Sequence, residues 1–255
     1  MYSLGVKLSL LNKIKKPNKN ATFVFGLQKS GTSAITGLLA AYTGKSATID
    51  TKYLWEPYRT QLLEDELTIK QLVNRFSYPF SKEIIKEPSA TFFIDKVSEF
   101  FSLEKFIFIV RNPFDNIRSI LNRLNLPGDE DHIDPSRIHP NWRYIFKSEG
   151  QANYIDTLIA NWLAANDQPG WTSHPGCLLI RYEDFNADKE GVIGHISNQL
   201  GFGRMNDISD IVDKQFQPKG SSPDSLVEFF GQKNFEKIAS KCEKVGHELG
   251  YQRLA

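Results

Sequence analysis

Short, unbroken apolar runs punctuate this chain, and between them apolar residues recur at helical spacing. The runs Thr22 to Phe25, Phe106-Ile-Phe-Ile-Val110 and Cys177-Leu-Leu-Ile-Arg181 have strand length and an apolar character typical of strands covered on both faces of a parallel sheet. Glu83-Ile-Ile-Lys-Glu87 reads as a further short strand, stopped by Pro88. Helical spacing follows the first run until Gly44, which suits a C-cap. It returns over Thr60 to Phe76. From Phe114 to Leu126, Ile117, Ile120, Leu121 and Leu124 share a face and Pro113 suits the first turn. Further helices are predicted from Gly150 to Asn166 and from Lys233 to Leu249. The first twenty residues hold an amphipathic pattern, Leu4, Leu8, Leu11 and Ile14, then the basic string Lys13-Ile-Lys-Lys-Pro-Asn-Lys19; they read as an N-terminal extension with its helix packed on the body. Residues 127–145 include the least regular stretch, and a loop of that length in a compact domain suits a lid or binding loop. Alternating strands and helices predict one α/β domain over 1–255, with a mostly parallel central sheet flanked by helices.

Composition narrows the chemistry. Thirty-one basic and 30 acidic residues leave a formal charge of +1, so no overall field favours nucleic acid or a membrane surface. An anionic partner must be held by local positive groups. The two cysteines, Cys177 and Cys242, form no C-x-x-C pair and read as small core residues of a reduced protein without a disulfide framework. No apolar run reaches the roughly 18 to 20 residues of a membrane span, and the N-terminus lacks a clean apolar core with a small-residue cleavage site. A soluble, cytoplasmic protein is expected. The five histidines, at 132, 139, 174, 195 and 247, show no metal-ligand spacing, and no metal is expected.

The chemistry concentrates in Gly26-Leu-Gln-Lys-Ser-Gly-Thr-Ser33, between the first strand and the first long helix. A turn built from Gly, Ser and Thr lets backbone N–H groups face an anion, and the helix N-terminus adds to the attraction. In an ATP- or GTP-binding P-loop, lysine directly follows the second glycine; here Thr32 stands there and the lysine is Lys29. Positive charge is present but meets the anion from a different side, which argues against ordinary ATP chemistry. A second candidate is Arg111-Asn-Pro-Phe-Asp-Asn-Ile-Arg-Ser119, where Arg111 at a strand end and Ser119 eight residues on can converge on one anion.

With these two strings together the chain resembles the sulfotransferase family, whose donor is 3′-phosphoadenosine 5′-phosphosulfate. The family's Lys/Arg-Ser-Gly-Thr loop holds the 5′-phosphosulfate, and its Arg-(Asn/Asp)-Pro string, with serine eight positions after the arginine, holds the 3′-phosphate. Ile180-Arg-Tyr-Glu-Asp-Phe185 is similar to the family's strand-end Arg-Tyr-Glu-Asp-Leu, and Pro218-Lys-Gly-Ser221 to its Lys-Gly contact with the 3′-phosphate. The resemblance runs from about residue 21 to 222 and implies a P-loop NTPase-like sulfotransferase fold. It implies donor contacts from Gln28, Lys29, Ser30, Gly31, Thr32, Ser33, Arg111, Ser119, Arg181, Lys219 and Gly220, although for Arg181 to Asp184 a salt-bridged corner is an alternative. The product would be adenosine 3′,5′-bisphosphate.

Sulfuryl transfer needs an in-line acceptor and stabilisation of charge on the leaving group, roles for which Lys29 and Lys86 are candidates. A general base must also face the donor sulfur. Family members that act on steroids and phenols use a histidine after a Lys-Thr pair, whereas this chain has Ile84-Ile-Lys-Glu-Pro-Ser89. Glu56, in Leu54-Trp-Glu-Pro-Tyr-Arg59, and Glu87 compete for the role, with His132 and His139 of the irregular loop in reserve. The acidic Asp129, Glu130, Asp131 and Asp134 of that loop suggest a small, cationic acceptor, and Trp55, Asp131, His132 and Trp142 are candidate acceptor contacts. A P-loop kinase or nucleotide hydrolase, and a nucleotide-binding protein without turnover, are the competing readings. Oligomeric state is not legible.

Overall fold

The computed structural model describes residues 4–134, 136, 138, 140–146, 153–213 and 225–254. Its chain begins with α1 (Leu4–Ile14), β1 (Thr22–Phe25), α2 (Thr32–Thr43), β2 (Ala47–Ile49), α3 (Tyr58–Leu63) and α4 (Ile69–Arg75). There follow β3 (Ile84–Lys86), α5 (Ile94–Ser98), β4 (Phe106–Val110), α6 (Pro113–Leu124) and α7 (Tyr154–Asn166). It closes with α8 (Pro169–Thr172), β5 (Cys177–Arg181), α9 (Tyr182–Ala187), α10 (Lys189–Leu200) and α11 (Leu226–Glu248). Short 3-10 turns lie at Lys52–Leu54, Pro79–Ser81, Pro88–Phe93 and Pro140–Phe146.

The strands form one five-stranded sheet in the order β2-β3-β1-β4-β5, and β1 pairs in parallel with both β3 and β4, as β2 does with β3. This is the mostly parallel α/β sheet the apolar runs predict. Every residue of β1, β3 and β4 is buried, because helices cover the sheet. β5 departs from its expected burial: it is at the end of the strand order, and Leu179 is exposed. The single helix expected over Thr60 to Phe76 is two. Asp65 takes a left-handed φ of 60° after α3, and Thr68 and Gln71 then form a reciprocal capping box that starts α4 afresh.

By contacts the chain forms two compact units. The first comprises the described parts of Met1–Leu27, Gly31–Ile109 and Pro169–Phe216. Its core includes Val24, Ile35, Leu38, Ile84, Ile107, Ile109, Phe185, Ile193 and Ile196, with Phe23, Phe25, Phe101 and Phe106 in a separate run of edge and stacked ring contacts. The second comprises the described parts of Gln28–Ser30, Val110–Gln168 and Gln217–Ala255. There α6, α7 and α11 pack around Phe114, whose ring lies 4.9 Å from that of Phe235 and 5.8 Å from that of Phe230. Buried Asp156 on α7 receives Lys237 and Lys241 of α11, each at 2.9 Å. Among the described residues no helix is long and apolar enough to cross a membrane.

Candidate active site

The glycine loop leaves β1 through a chain of unusual backbone angles. Gly26, Lys29 and Gly31 have φ of 141°, 68° and 84°. Glycine is required at two of these positions for space as well as angle: a Cβ on Gly26 would stand 2.5 Å from the carbonyl oxygen of Ile109, and one on Gly31 2.2 Å from the ring of Tyr182. Left-handed residues such as Lys29 and Gly31 set on either side of a residue of negative φ can turn successive N–H groups toward one side, as in an anion nest. Gly31 is the N-cap of α2, so the helix begins where the loop ends. Gly26, Leu27 and Gly31–Ser33 belong to the first unit, Gln28–Ser30 to the second.

In the first unit, Lys86 at the end of β3 is 3% exposed and donates to Ser33 Oγ at 3.0 Å. It also makes an ion pair with Asp50 at 2.5 Å. Sheet register produces that pair: Ile49 of β2 lies opposite Lys86, and the next amide, Asp50 N–H, donates to the Lys86 carbonyl at 3.0 Å. Glu87 follows, 2% exposed, its Oε2 accepting from Thr51 N–H (2.9 Å) and Trp55 Nε1 (3.0 Å), its Oε1 from Ser89 N–H (3.2 Å). Burial, and secondarily the Asp50 charge, push the Glu87 carboxyl up to about 7, against the opposing pull of Lys86 and the Ser89 and Trp55 N–H donors. Glu56 is different: it is exposed, its Oε2 accepts from Thr60 N–H and Oγ1 at 3.3 and 2.7 Å, and Arg59 lies 3.6 Å from Oε1. That carboxylate secures the first turn of α3.

In the second unit, Arg111 leaves β4 and Asn112 caps α6 by accepting from Phe114 N–H at 2.9 Å, with Pro113 at the first helical position. Buried Trp162 donates to the Arg111 carbonyl at 3.0 Å and fixes the backbone there. Arg111 Nη1 donates to the Lys29 carbonyl at 2.7 Å. Asn116, fully buried on α6, donates through Nδ2 to the Gln28 carbonyl at 2.9 Å and to Ser30 Oγ at 3.0 Å. Burial lowers Lys29 to about 8, and the positive charges of Arg123 and Arg111 push in the same direction. Two further cations therefore act on the Lys29 ammonium, and one of them, Arg111, also holds the Lys29 carbonyl.

Comparison with known proteins bears on the fold. No family model matches the chain, and no curated protein matches it in sequence. Solved structures do. A sulfotransferase of Mycobacterium avium matches with a TM-score of 0.58 at 12% identity, over 95% of this chain and 79% of that one. The sulfotransferase domain from the curacin biosynthetic pathway matches at 0.53 and 13%, over 94% and 99%. A sulfotransferase of Alicyclobacillus acidocaldarius matches at 0.51 and 15%, over 89% and 96%. The chain has the sulfotransferase fold.

Within this sulfotransferase fold the remaining expected residues fall in different settings. Thr32 is buried in the first turn of α2. Ser119 lies one turn beyond Asn116 on α6, half-buried. Arg181 forms a two-pronged pair with Asp184, Nε to Oδ2 at 2.8 Å and Nη2 to Oδ1 at 3.0 Å, which makes the salt-bridged corner foreseen as its alternative role. Tyr182, beside it, supplies the ring that bears on Gly31. Trp55 is 38% exposed with its indole N–H on Glu87. Asp131 accepts from Lys233 at 2.6 Å and Asn153 at 3.0 Å, so both its oxygens are held within the second unit. His132 is exposed and Trp142 half-buried. Lys219, Gly220 and His139 lie outside the described residues. Burial pushes both cysteine thiols up to about 12, far from nucleophilic use. Sequence reasoning missed Asp50, Asn116, Arg123 and Thr91, whose Oγ1 accepts from Gly26 N–H at 2.8 Å.

Proposed function

We propose that the chain is a sulfotransferase that moves a sulfuryl group from 3′-phosphoadenosine 5′-phosphosulfate to a hydroxyl or amine of a small acceptor. The observation that carries this reading is the loop at Lys29, where two arginines press on a half-buried lysine and the backbone is left-handed at Lys29 and Gly31, within a sulfotransferase fold. The donor, when bound, supplies an activated sulfuryl group on a phosphate leaving group. Lys29 neutralises the charge that grows on that phosphate as the S–O bond breaks, and the amides of Ser30 to Ser33 hold its oxygens, with Thr32 and Ser33 adding hydroxyl donors. Lys29 is largely protonated at neutral pH, and a bound anion holds the proton more firmly. Gln28 and Gly31 shape the loop. Arg111 and Ser119 take the 3′-phosphate, with Lys219 and Gly220 as further contacts and Arg181 serving the corner. Lys86, carrying Ser33, aids the leaving group.

For the proton of the acceptor we favour Glu87 over Glu56. A carboxyl pushed up to about 7 is matched to proton transfer near neutrality, whereas Glu56 is spent on a helix end. Glu87 is reached by displacing the Trp55 indole that sits on Oε2. A preference for cationic acceptors draws no support from Asp131, whose charge Lys233 already meets; Trp55 and Trp142 remain candidate acceptor contacts.

Thermal unfolding with adenosine 3′,5′-bisphosphate against ATP and magnesium tests the proposal. The bisphosphate at a hundred times its Kd is expected to add about 2.7 kcal/mol of stability, with no comparable gain from ATP. Stabilisation by ATP and magnesium alone would favour a nucleotide kinase or hydrolase. Transfer of label from the sulfuryl donor across neutral and cationic acceptors then separates an enzyme from a nucleotide-binding protein.

A further inference from the structure

Asn116 occupies a position where helix packing alone calls for an apolar side chain. It is fully buried on α6 among Phe114, Ile117, Ile120 and Leu121, all of them buried apolar neighbours in the helix. Among the described residues its Oδ1 has no hydrogen-bond partner, and an orphan buried acceptor costs stability that a valine or leucine would not. The amide cannot turn over to relieve it, because that would set Oδ1 against the Gln28 carbonyl. Its value must therefore lie in the two N–H bonds on the other side.

Those bonds fall on the loop. Asn116 holds the carbonyl of Gln28 while Arg111 holds the carbonyl of Lys29. In a planar trans peptide the N–H points opposite to the C=O, so the amides of Lys29 and Ser30 are turned away from α6. Lys29 accordingly takes a left-handed φ of 68° without being glycine, an angle that needs outside support. Asn116 also donates to Ser30 Oγ. With a lone pair so engaged, the Ser30 hydroxyl proton is directed elsewhere, as a donor.

We propose that Asn116 is a positioning residue for the donor phosphate: by pinning Gln28 and Ser30 it aims the Lys29 and Ser30 amides and the Ser30 hydroxyl at the bound anion. This rests on the donor-binding reading of the loop. The test uses the full chain with Asn116→Ala, the isosteric Asn116→Asp, Ser30→Ala and the Asn116→Ala/Ser30→Ala double variant. Backbone chemical shifts of ligand-free protein are expected to show Lys29 leaving its left-handed conformation in both Asn116 variants while β1 and α2 shifts hold. Calorimetric Kd for adenosine 3′,5′-bisphosphate is expected to rise about 10- to 100-fold, with the double variant well short of the product of the two single effects. Unchanged Lys29 shifts and an unchanged Kd, even with a lowered Tm, would reduce Asn116 to a packing residue and overturn the proposal. Should wild type show no affinity for the bisphosphate, the donor reading fails, and the Lys29 shifts still report whether Asn116 sets the loop. Ser30→Ala keeps the Kd arm open if the Asn116 variants do not fold: an unchanged Kd there would count against the hydroxyl's role.

Discussion

Lys29 and Lys86 are lysines near the same glycine loop, yet their surroundings differ in sign. Lys86 is almost wholly buried and its charge is answered inside the chain, by Asp50 and the neighbouring Glu87, with Ser33 as a further acceptor. Arg123 and Arg111, both positive, act on Lys29 and lower its pKa beyond the effect of burial. A lysine whose countercharge is built in holds structure and tunes the neighbouring carboxylate, so any help Lys86 gives the leaving group passes through Ser33. Lys29, beside two arginines, is the one that the proposed function sets directly against the donor's negative charge. The contrast between the two settings can be tested.

Removing Lys29 should have the largest consequence. Lys29→Ala is expected to lower kcat by at least about 10²- to 10³-fold, the scale for losing a group that stabilises transition-state charge, with the melting temperature within a few degrees of wild type. Wild-type turnover in that variant would refute the placement. Asp50→Asn addresses the other lysine and should act on stability first. Because Asp50 is 42% exposed, the loss is expected near 1–2 kcal/mol, below that of a fully buried pair.

Asp50→Asn also moves a pH window. The folded Glu87 pKa, about 7, lies above its ordinary 4.5, so this group's contribution to stability is fully present below pH 4.5 and is lost as pH rises through 7. Taking away the Asp50 charge lowers the upper edge of that window, which melting temperatures between pH 4.5 and 7.5 would show. If Glu87 is the base, the acidic limb of kcat moves down with it. The smallest effect is expected from Glu56→Gln: a kcat within about twofold of wild type and a stability change within about 0.5 kcal/mol, as for most exposed positions. A hundredfold fall in kcat with unchanged melting would return the base to Glu56.

Much of this was legible where one residue type forces one geometry. Apolar runs marked β1, β4 and β5, the short Glu83 to Glu87 string before Pro88 marked β3, and Gly26 and Gly31 marked the loop, because strand-length apolar runs and left-handed angles leave few alternatives. β2 was not legible. It is only three residues, Ala47–Ile49, and its pairing with β3 comes from tertiary contact. Missing β2 meant missing Asp50, whose partnership with Lys86 depends on that register. The break between α3 and α4 did leave a signal, the Thr68 to Gln71 capping box, which the longer apolar rhythm obscured. Asn116 gave none, since a polar residue among apolar helix positions reads as surface until the fold buries it.

The ring of Tyr182 against Gly31 joins a residue of the second strand-helix corner to the first loop, across a long stretch of chain. Arg181 and Asp184 brace that corner. Loop geometry at Gly31 therefore depends on a segment far along the chain: the ring of Tyr182 leaves room there for a hydrogen and for no side chain, so the start of α9 limits which residue the first loop can carry.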